Sequence, residues 1–190
     1  IAVHAPAAGS TVSVAAAGGT VTPLVLEGYQ TLRGDTPTGA NRPIINAGAN
    51  VLTFGLLWDV YNLIITSSGT STLIQNSNCK AVNCKVINTS ESANRNAINF
   101  SNGNGGLVFN CEAISYRGVA LLNTASGSAQ RGAVVGCYLH DSNVGLSFGS
   151  GGSNGIGTVF GNIIADNVTK AIDIATGYTS QYLAIVGNTF

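Results

Sequence analysis

Two aspartates stand 25 residues apart, and their spacing makes them the first residues to consider for chemistry. Asp141 and Asp166 each end a short apolar segment, YLHD and IIAD. Two neighbouring carboxylates could serve as acid and base in glycoside cleavage, or could bind a calcium ion. His140 adjoins the pair, and histidine exchanges protons near neutral pH. These three residues are the weak candidates for a catalytic site.

A structural role for the two aspartates is the favoured interpretation. Asn88 and Ser115 occupy the equivalent position in earlier repeats. Asp, Asn and Ser side chains all hydrogen-bond to nearby backbone N–H groups and so close turns. The sequence therefore assigns no catalytic residue with certainty, and it predicts no cofactor and no metal.

The elements that must position these residues repeat about every 26 residues. Six segments align: VYNLIIT (60–66), AVNCKVIN (81–88), VFNCEAIS (108–115), VVGCYLHD (134–141), VFGNIIAD (159–166) and IVGNTF (185–190). Their central residues are Leu63, Cys84, Cys111, Cys137, Asn162 and Asn188. The positions three before and two after the centre are apolar in every segment. These runs last only about six residues, which favours strands over helices.

The residue before each centre predicts a corner between two strands. It is Asn62, Asn83, Asn110, Gly136, Gly161 or Gly187, and Asn and Gly enter the left-handed backbone region most easily. A further apolar cluster follows each corner, in NAINF (96–100), GVALL (118–122), GLSF (145–148) and AIDI (171–174). The pattern aligns Ile98, Val119, Leu146 and Ile172. Each repeat is thus predicted to be one coil of three strands in an all-β parallel β-helix.

Identical positions on stacked coils form ladders of side chains. Asn162 is expected to hydrogen-bond to Asn188, since a buried amide needs partners, and the cysteines form an apolar counterpart of this ladder. Stacked Cα atoms lie about 4.8 Å apart, a distance that permits a disulfide, but parallel side chains are poorly oriented for one. We predict free, buried thiols, which favour folding in a reducing cytoplasm.

The first part of the chain is less regular. Residues 1–55 contain all four prolines and are predicted to form an N-terminal cap with the first coils, because a solenoid must cover its exposed end. Residues 56–190 form the regular coils of the same continuous domain. The chain lacks Met and ends within a repeat, so the β-helix is expected to continue past residue 190.

Composition excludes some partners. Only 8% of the residues are charged and the formal net charge is zero, so there is no basic surface for nucleic acid or an anionic membrane. The apolar runs are much shorter than the roughly 20 residues that span a bilayer. Neither nucleic acid nor a membrane is therefore predicted as a partner.

The repeats resemble a known superfamily. GNIIADNVTKAIDI (161–174) and GCYLHDSNVGLSF (136–148) are similar to the repeat of right-handed parallel β-helix proteins of the pectate-lyase-like superfamily, and LEGYQTLRGDTPTGANRPIINAG (26–48) resembles the opening coils of phage β-helix proteins. The resemblance implies a right-handed helix. The calcium site and arginine base of pectate lyases are not matched, because the arginines are scattered and no three carboxylates share a face.

Three functions follow as hypotheses. The first is a structural or receptor-binding β-helix of a phage particle, such as a tailspike, fibre or capsid decoration, trimeric, bound to other virion proteins and able to contact surface glycans. Its location would be the virion or an extracellular surface. The second is a polysaccharide hydrolase or lyase using Asp141 and Asp166, and the third a bacterial surface adhesin. For this segment the sequence favours a protein that is not an enzyme.

Several weaker signals have structural explanations. Arg33–Asp35 spell an integrin-type tripeptide, for which a turn is favoured. The sequons at Asn88, Asn99 and Asn167 matter only in a eukaryotic secretory pathway. Most aromatic residues are expected to face inward, and Tyr116, Tyr138 and Tyr178 are the ones expected to face outward, where sugar rings could stack.

Overall fold

The chain folds as an all-β parallel solenoid with about 25 residues per turn. The computed structural model describes residues 12–14, 24–29, 37–54, 58–75, 79–100, 106–123, 132–149, 156–178 and 183–190. Within these residues each strand pairs in parallel with the equivalent strand of the next coil. The predicted β-helix fold is confirmed.

Three sheets run along the solenoid. Sheet A contains β1 (Val12–Val14), β4 (Leu52–Phe54), β7 (Ser71–Gln75), β10 (Asn96–Phe100), β13 (Val119–Asn123), β16 (Val144–Phe148) and β19 (Lys170–Ile174). Sheet B contains β2 (Leu24–Glu27), β5 (Trp58–Tyr61), β8 (Lys80–Val82), β11 (Leu107–Phe109), β14 (Gly132–Val135), β17 (Ile156–Phe160) and β20 (Ala184–Val186). Sheet C contains β3 (Ile44–Asn46), β6 (Ile64–Ser67), β9 (Lys85–Asn88), β12 (Glu112–Ser115), β15 (Tyr138–His140) and β18 (Ile163–Ala165).

The corner between sheets B and C uses the left-handed backbone conformation in six successive coils. Its residues have φ values of 58°, 52°, 50°, 63°, 64° and 64° at Asn62, Asn83, Asn110, Gly136, Gly161 and Gly187. Most L-residues avoid this region because Cβ meets the following carbonyl, whereas Gly and Asn enter it readily. The predicted corner is confirmed. Two residues connect each sheet B strand from β5 to β17 to the sheet C strand that follows it: one in the left-handed conformation and one whose side chain points inward.

The core is formed by columns of small aliphatic side chains that stack from coil to coil. In sheet B the inward column is Val60, Ala81, Val108, Val134 and Val159, and all five are fully buried. In sheet C it is Ile65, Val86, Ala113, Leu139 and Ile164. Burying each Val, Leu or Ile side chain contributes about 1.5–3 kcal/mol, so these columns contribute strongly to the solenoid's stability.

The predicted alignment in sheet A is wrong at one strand. Ile98 pairs with Leu121, and Val119 pairs instead with Asn96. The error is two residues, because only Tyr116, Arg117 and Gly118 separate β12 from β13 while the preceding coil has a longer connection. Since side chains alternate with a period of two, this shift leaves the inward set unchanged, and Leu121 is fully buried.

The strands before residue 55 belong to the same three sheets as the later coils. β2 pairs with β5, β3 with β6, and β4 with β7, all in parallel. A 3₁₀ turn at Gly39–Asn41 precedes β3. Among the described residues, no helix has the length and apolarity needed to cross a bilayer.

Candidate functional site

Asp141 and Asp166 lie at a second corner, which follows sheet C. Both have positive φ, 48° and 55°, and both are exposed. The pairing of β12 with β15 ends at Ala113 and Leu139, so the chain bends just before these aspartates. The backbone conformation shows that each aspartate is a turn residue, whatever else it does.

At this corner the inward position is occupied by the residue after each aspartate, which is Ser142 after Asp141 and Asn167 after Asp166. Ser142 Oγ accepts a hydrogen bond from the Ser115 backbone N–H at 2.8 Å, and Asn167 Oδ1 accepts one from the Ser142 N–H at 3.3 Å. Ser142 and Asn167 therefore continue the inward column that begins with Asn88 and Ser115. Asp141 and Asp166 do not belong to this column. The sequence alignment missed this because the left-handed aspartate adds one residue to the bend.

His140 lies between two carboxylates on the outer side of sheet C. Its Nδ1 is 2.7 Å from Asp141 Oδ2, and its Nε2 is 3.1 Å from Glu112 Oε1. The imidazole side chain is only 9% exposed. Its ring stacks on the Tyr138 ring with a centroid distance of 3.7 Å and an interplanar angle of 15°. The four residues form one cluster across two coils.

Lys85 extends this cluster to a third coil. Its Nζ donates to Glu112 Oε1 at 2.8 Å, and Lys85, Glu112 and Tyr138 are register partners on adjacent strands. Burial alone would raise the pKa of Glu112, but the hydrogen bonds from Lys85 and His140 outweigh burial, and the pKa lies below its ordinary value. Glu112 and Lys85 were not singled out from sequence. Their shared position, one after the centre of the repeat, could have revealed them.

The geometry of this cluster is that of a charge network. A general base needs a nitrogen directed at its substrate, whereas both ring nitrogens of His140 already contact carboxylates. When both ring nitrogens carry a proton, each N–H can donate to one carboxylate. Among the described residues, no group of three or more His, Cys, Asp or Glu is arranged to hold a metal ion.

The central column of the repeat forms a hydrogen-bonded ladder inside the corner between sheets B and C. Leu63, Cys84, Cys111, Cys137 and Asn162 are buried there, and Asn188 is partly buried. Asn162 Nδ2 donates to Asn188 Oδ1 at 2.8 Å and to the Val134 carbonyl at 3.0 Å. Cys111 Sγ donates to the Ala81 carbonyl at 3.4 Å. Thiol and amide therefore contact equivalent groups of the preceding coil.

All four cysteines are buried thiols that form no disulfide, as the sequence predicts. Burial raises the pKa of Cys137 to about 11 and that of Cys111 well above its ordinary value. The thiolate is the reactive form of cysteine. These two side chains are therefore protonated and unreactive at neutral pH.

A cavity of about 330 Å³ lies near Asp166. It is lined by Ile164, Ala165, Asp166, Asn167, Ala171 and Phe190. Asp141 and His140 do not line it, so this cavity does not join the three catalytic candidates into one site. Its one charged lining group is the Asp166 carboxylate.

One prediction about aromatic residues is wrong. Tyr178 packs on the buried Phe148, with a ring-centroid distance of 5.1 Å, whereas Tyr116 and Tyr138 are exposed as predicted. Most aromatic residues were expected to face inward, whereas Phe109 and Phe160 are exposed. Each directly follows a buried valine in its strand, so strand alternation places it outside.

The other signals have mixed outcomes. The Nδ2 of Asn88 donates to the Gly69 and Asn96 carbonyls, and that of Asn167 to the Leu139 carbonyl, so glycosylation would break these hydrogen bonds. Asn99 lies within β10. The Arg33–Asp35 tripeptide lies outside the described residues.

Comparisons with known proteins give no further identification. Neither the protein-family models, nor the curated proteins, nor the solved structures contain a match to this chain. What is established is the class of protein: a parallel β-solenoid with three sheets.

Proposed function

We propose that this chain is the structural or receptor-binding β-helix of a phage particle: a tailspike, a fibre or a capsid decoration. The proposal includes membership of the pectate-lyase-like superfamily, which the repeat motifs and the opening coils favour. It places the folded protein on the virion or an extracellular surface, in a homo-oligomer, expected to be a trimer, that contacts other virion proteins and surface glycans.

The stack of free thiols is the observation that carries this proposal. Cys84, Cys111 and Cys137 lie on successive coils as buried, unpaired thiols. Proteins that fold in oxidising compartments rarely keep several free cysteines, whereas a reducing cytoplasm preserves them. Assembly inside a cell followed by release agrees with this chemistry.

The side-chain ladders also support a structural role. Side chains of the central column link every coil from Cys84 to Asn188 through hydrogen bonds to backbone N–H and carbonyl groups. A solenoid gains its stability from contacts between neighbouring repeats. Such a rod can carry a binding surface at a fixed distance from its attachment point.

Mass spectrometry of purified particles from the source organism tests the proposal. Particles banded in a density gradient should yield peptides of this chain, among them the tryptic peptide 118–131, at a copy number typical of a structural component. A matched gradient fraction from an uninfected or non-producing culture is the control. Absence of the chain from intact particles would reject the proposal.

A polysaccharide-degrading enzyme is the second candidate, favoured by one observation. Asp141 and Glu112 are both held by His140, so two carboxylates lie close to one another on an outer face. Asp166 lies one coil further along. Against this role stands the saturation of both ring nitrogens of His140 by carboxylates.

The double substitution Asp141→Asn with Asp166→Asn separates the two candidates. Asn tolerates the left-handed conformation of both positions, so the variant should fold while losing both charges. An enzyme that uses these aspartates should lose depolymerase activity on capsular or cell-wall polysaccharide, measured as new reducing ends. Glu91→Gln, which removes an exposed carboxylate elsewhere, is the control. Retained activity in the double variant would reject a catalytic role for the aspartates.

A further inference from the structure

His140 joins two carboxylates on the outer surface of sheet C. Its Nδ1 lies 2.7 Å from Asp141 Oδ2, and its Nε2 lies 3.1 Å from Glu112 Oε1. The imidazole side chain is 9% exposed and that of Glu112 is 26% exposed, whereas that of Asp141 is 64% exposed. We call these three side chains the His140 bridge. The bridge connects β12 to the corner that follows β15, and so joins two successive coils.

Both contacts of the His140 bridge can be hydrogen bonds only while the ring carries two protons. Imidazolium has an N–H at each ring nitrogen, whereas neutral imidazole has one N–H and one lone pair. Carboxylates are ionised near neutral pH, so neither carboxylate can supply the missing proton. With a neutral ring, one nitrogen of His140 would therefore direct a lone pair at a carboxylate oxygen. The geometry of the bridge belongs to the doubly protonated ring.

The strands of sheet C supply the groups that face His140 across the sheet. On β12, Glu112 contacts Nε2, and on β9, Lys85 Nζ donates to Glu112 Oε1 at 2.8 Å. On β15 itself, the Tyr138 ring stacks on the imidazole. The register partner of His140 on β18 is Ala165, which is uncharged. The charged groups that face the ring from within the sheet are therefore Glu112 and Lys85.

The neighbouring corners contain charges of their own. Arg117, in the corner of the preceding coil, pairs with Glu91 at 3.3 Å. Asp166, in the corner of the next coil, forms no ion pair with His140 in the part of the chain that the structure describes. The charge balance around the ring is thus set by Lys85 and the two carboxylates of the bridge. A doubly protonated ring makes this group neutral, and a neutral ring leaves one negative charge unbalanced.

The two carboxylates differ in how easily they can leave the ring. Glu112 Oε1 also accepts the hydrogen bond from Lys85, and its side chain is largely buried, so turning it away from Nε2 would break both contacts. The Asp141 carboxylate is largely exposed, so rotation about its χ1 bond places it in water. A carboxylate that exchanges a hydrogen bond for water loses far less free energy than one left unpaired in a buried place. The contact to Asp141 is therefore the one that opens.

We propose that the His140 bridge is a pH-sensitive switch in which Asp141 is the moving part. At mildly acidic pH the doubly protonated ring holds both carboxylates. Histidine side chains lose a proton near neutral pH; the released proton goes to solvent, the remaining proton stays on Nε2 and donates to Glu112, and Asp141 turns into water. The bare Nδ1 then accepts a hydrogen bond from water. The outer surface of sheet C gains a free carboxylate while its strands stay in place.

This inference goes beyond the proposed function, because it concerns the response of the isolated chain to pH. Asp166 provides a control within the same chain. It occupies the equivalent corner one coil further along, with a φ of 55° against 48° for Asp141, and it is also exposed. Ala165 precedes it where His140 precedes Asp141. The side chain of Asp166 therefore has no neighbouring imidazole in its own coil to release it.

NMR of the isotope-labelled chain measures the switch directly. The chain has two histidines, and His4→Gln leaves His140 as the one that remains. Long-range proton–nitrogen spectra should show both ring nitrogens protonated at about pH 5, and a bare Nδ1 with a protonated Nε2 at about pH 8. Over the same range, the couplings that report the χ1 rotamer should change for Asp141 and stay constant for Asp166.

Glu112→Ala tests whether Glu112 selects the tautomer of the neutral ring. Without this carboxylate, the remaining proton should stay on Nδ1 and donate to Asp141, so Nε2 should be the bare nitrogen at about pH 8. Glu91→Ala is the matched control, because it removes an exposed carboxylate that pairs with Arg117. It should show the same tautomer as the chain with the native bridge.

Four results would overturn the proposal. They are a bare Nε2 at about pH 8 in the chain with the native bridge, a ring whose protonation is the same at about pH 5 and about pH 8, an Asp141 rotamer that changes no more than that of Asp166, and an unchanged tautomer in Glu112→Ala. The first three are measured with the native bridge, so they decide the matter even where Glu112→Ala does not fold. None of them involves the phage particle, so their failure is distinguishable from failure of the proposed function.

Discussion

The side-chain carbonyl of Asn162 accepts a hydrogen bond from the backbone N–H of Cys137 at 2.8 Å, one coil away. The same relationship recurs along the column. Asn188 Oδ1 accepts from the Asn162 N–H at 2.9 Å, and Cys111 Sγ accepts from the Cys84 N–H at 3.4 Å. Each side chain thus satisfies a backbone donor that the corner would otherwise leave unpaired, and sulfur does so more weakly than an amide oxygen.

Asn162→Leu should lower the free energy of unfolding by about 1–3 kcal/mol, because it leaves the buried Cys137 N–H without its acceptor and removes the side-chain hydrogen bond to the Val134 carbonyl. Denaturant unfolding followed by circular dichroism measures the change. Asn162→Cys is the matched variant and should cost less, since thiols contact the equivalent groups in the earlier coils. Equal stability of Asn162→Leu and the unmodified chain would contradict the importance of the ladder.

Glu112→Gln should change how stability depends on pH. A carboxyl group whose pKa is lower in the folded than in the unfolded chain stabilises the fold above its unfolded pKa, and this contribution is lost as pH falls through the folded pKa. The Glu112 pKa is lowered. The unmodified chain should therefore be more stable than Glu112→Gln at pH 6, and the difference should shrink as pH falls below about 4.3, the ordinary glutamate value.

Glu91→Gln is the control for this pH experiment. Glu91 pairs with Arg117 at 3.3 Å, but both side chains are largely exposed. Exposed ion pairs contribute little, about 0–1 kcal/mol. A pH-independent difference between the unmodified chain and Glu112→Gln would show that the carboxylate charge is not what Lys85 and His140 stabilise.

The four native cysteines should resist a thiol reagent at neutral pH while the chain is folded. All are buried, and the raised pKa values of Cys111 and Cys137 keep these two thiols protonated. Denaturant should expose four reactive thiols per chain, measured with a chromogenic disulfide reagent. Rapid reaction of the folded chain, or fewer than four thiols after unfolding without reductant, would contradict the free and buried state.

The coil architecture could be predicted because stacked coils impose the same requirement on equivalent residues. A corner that needs positive φ selects Asn or Gly, as at Asn110 and Gly136, and an inward position selects aliphatic residues, as at Val134. The loop before each sheet A strand faces no such requirement. Its varying length left the alignment of Val119 with Ile98 unconstrained, and alternation alone could not detect a shift of two residues.

The cluster around His140 was harder to predict because it joins different positions of the repeat. Glu112 lies one residue after the centre of its coil and His140 three residues after the centre of the next, so no single column contains both. The outward placement of Phe109 and Phe160 contradicts the expectation that large aromatic side chains lie in the core. Strand alternation is the physical reason for that exception, since each phenylalanine directly follows a buried valine in its strand.

Gly136 tests whether the corner is selected by backbone conformation alone. Its φ is 63°, and an added Cβ would meet no atom within 4 Å, so a substitution there changes conformational preference without a collision. Gly136→Asn should be nearly neutral, because Asn62, Asn83 and Asn110 occupy the same corner. Gly136→Val should destabilise the fold by about 1–3 kcal/mol, since a β-branched residue strongly disfavours this region.

Thermal unfolding followed by circular dichroism compares the two Gly136 variants. Gly118→Ala provides the contrasting case, because a Cβ at Gly118 would collide with the backbone of Arg95; it should be severely destabilising despite the small side chain. Similar melting temperatures for Gly136→Asn and Gly136→Val would show that the corner tolerates any residue. In that case the recurrence of Asn and Gly at this column would have a cause other than the left-handed backbone.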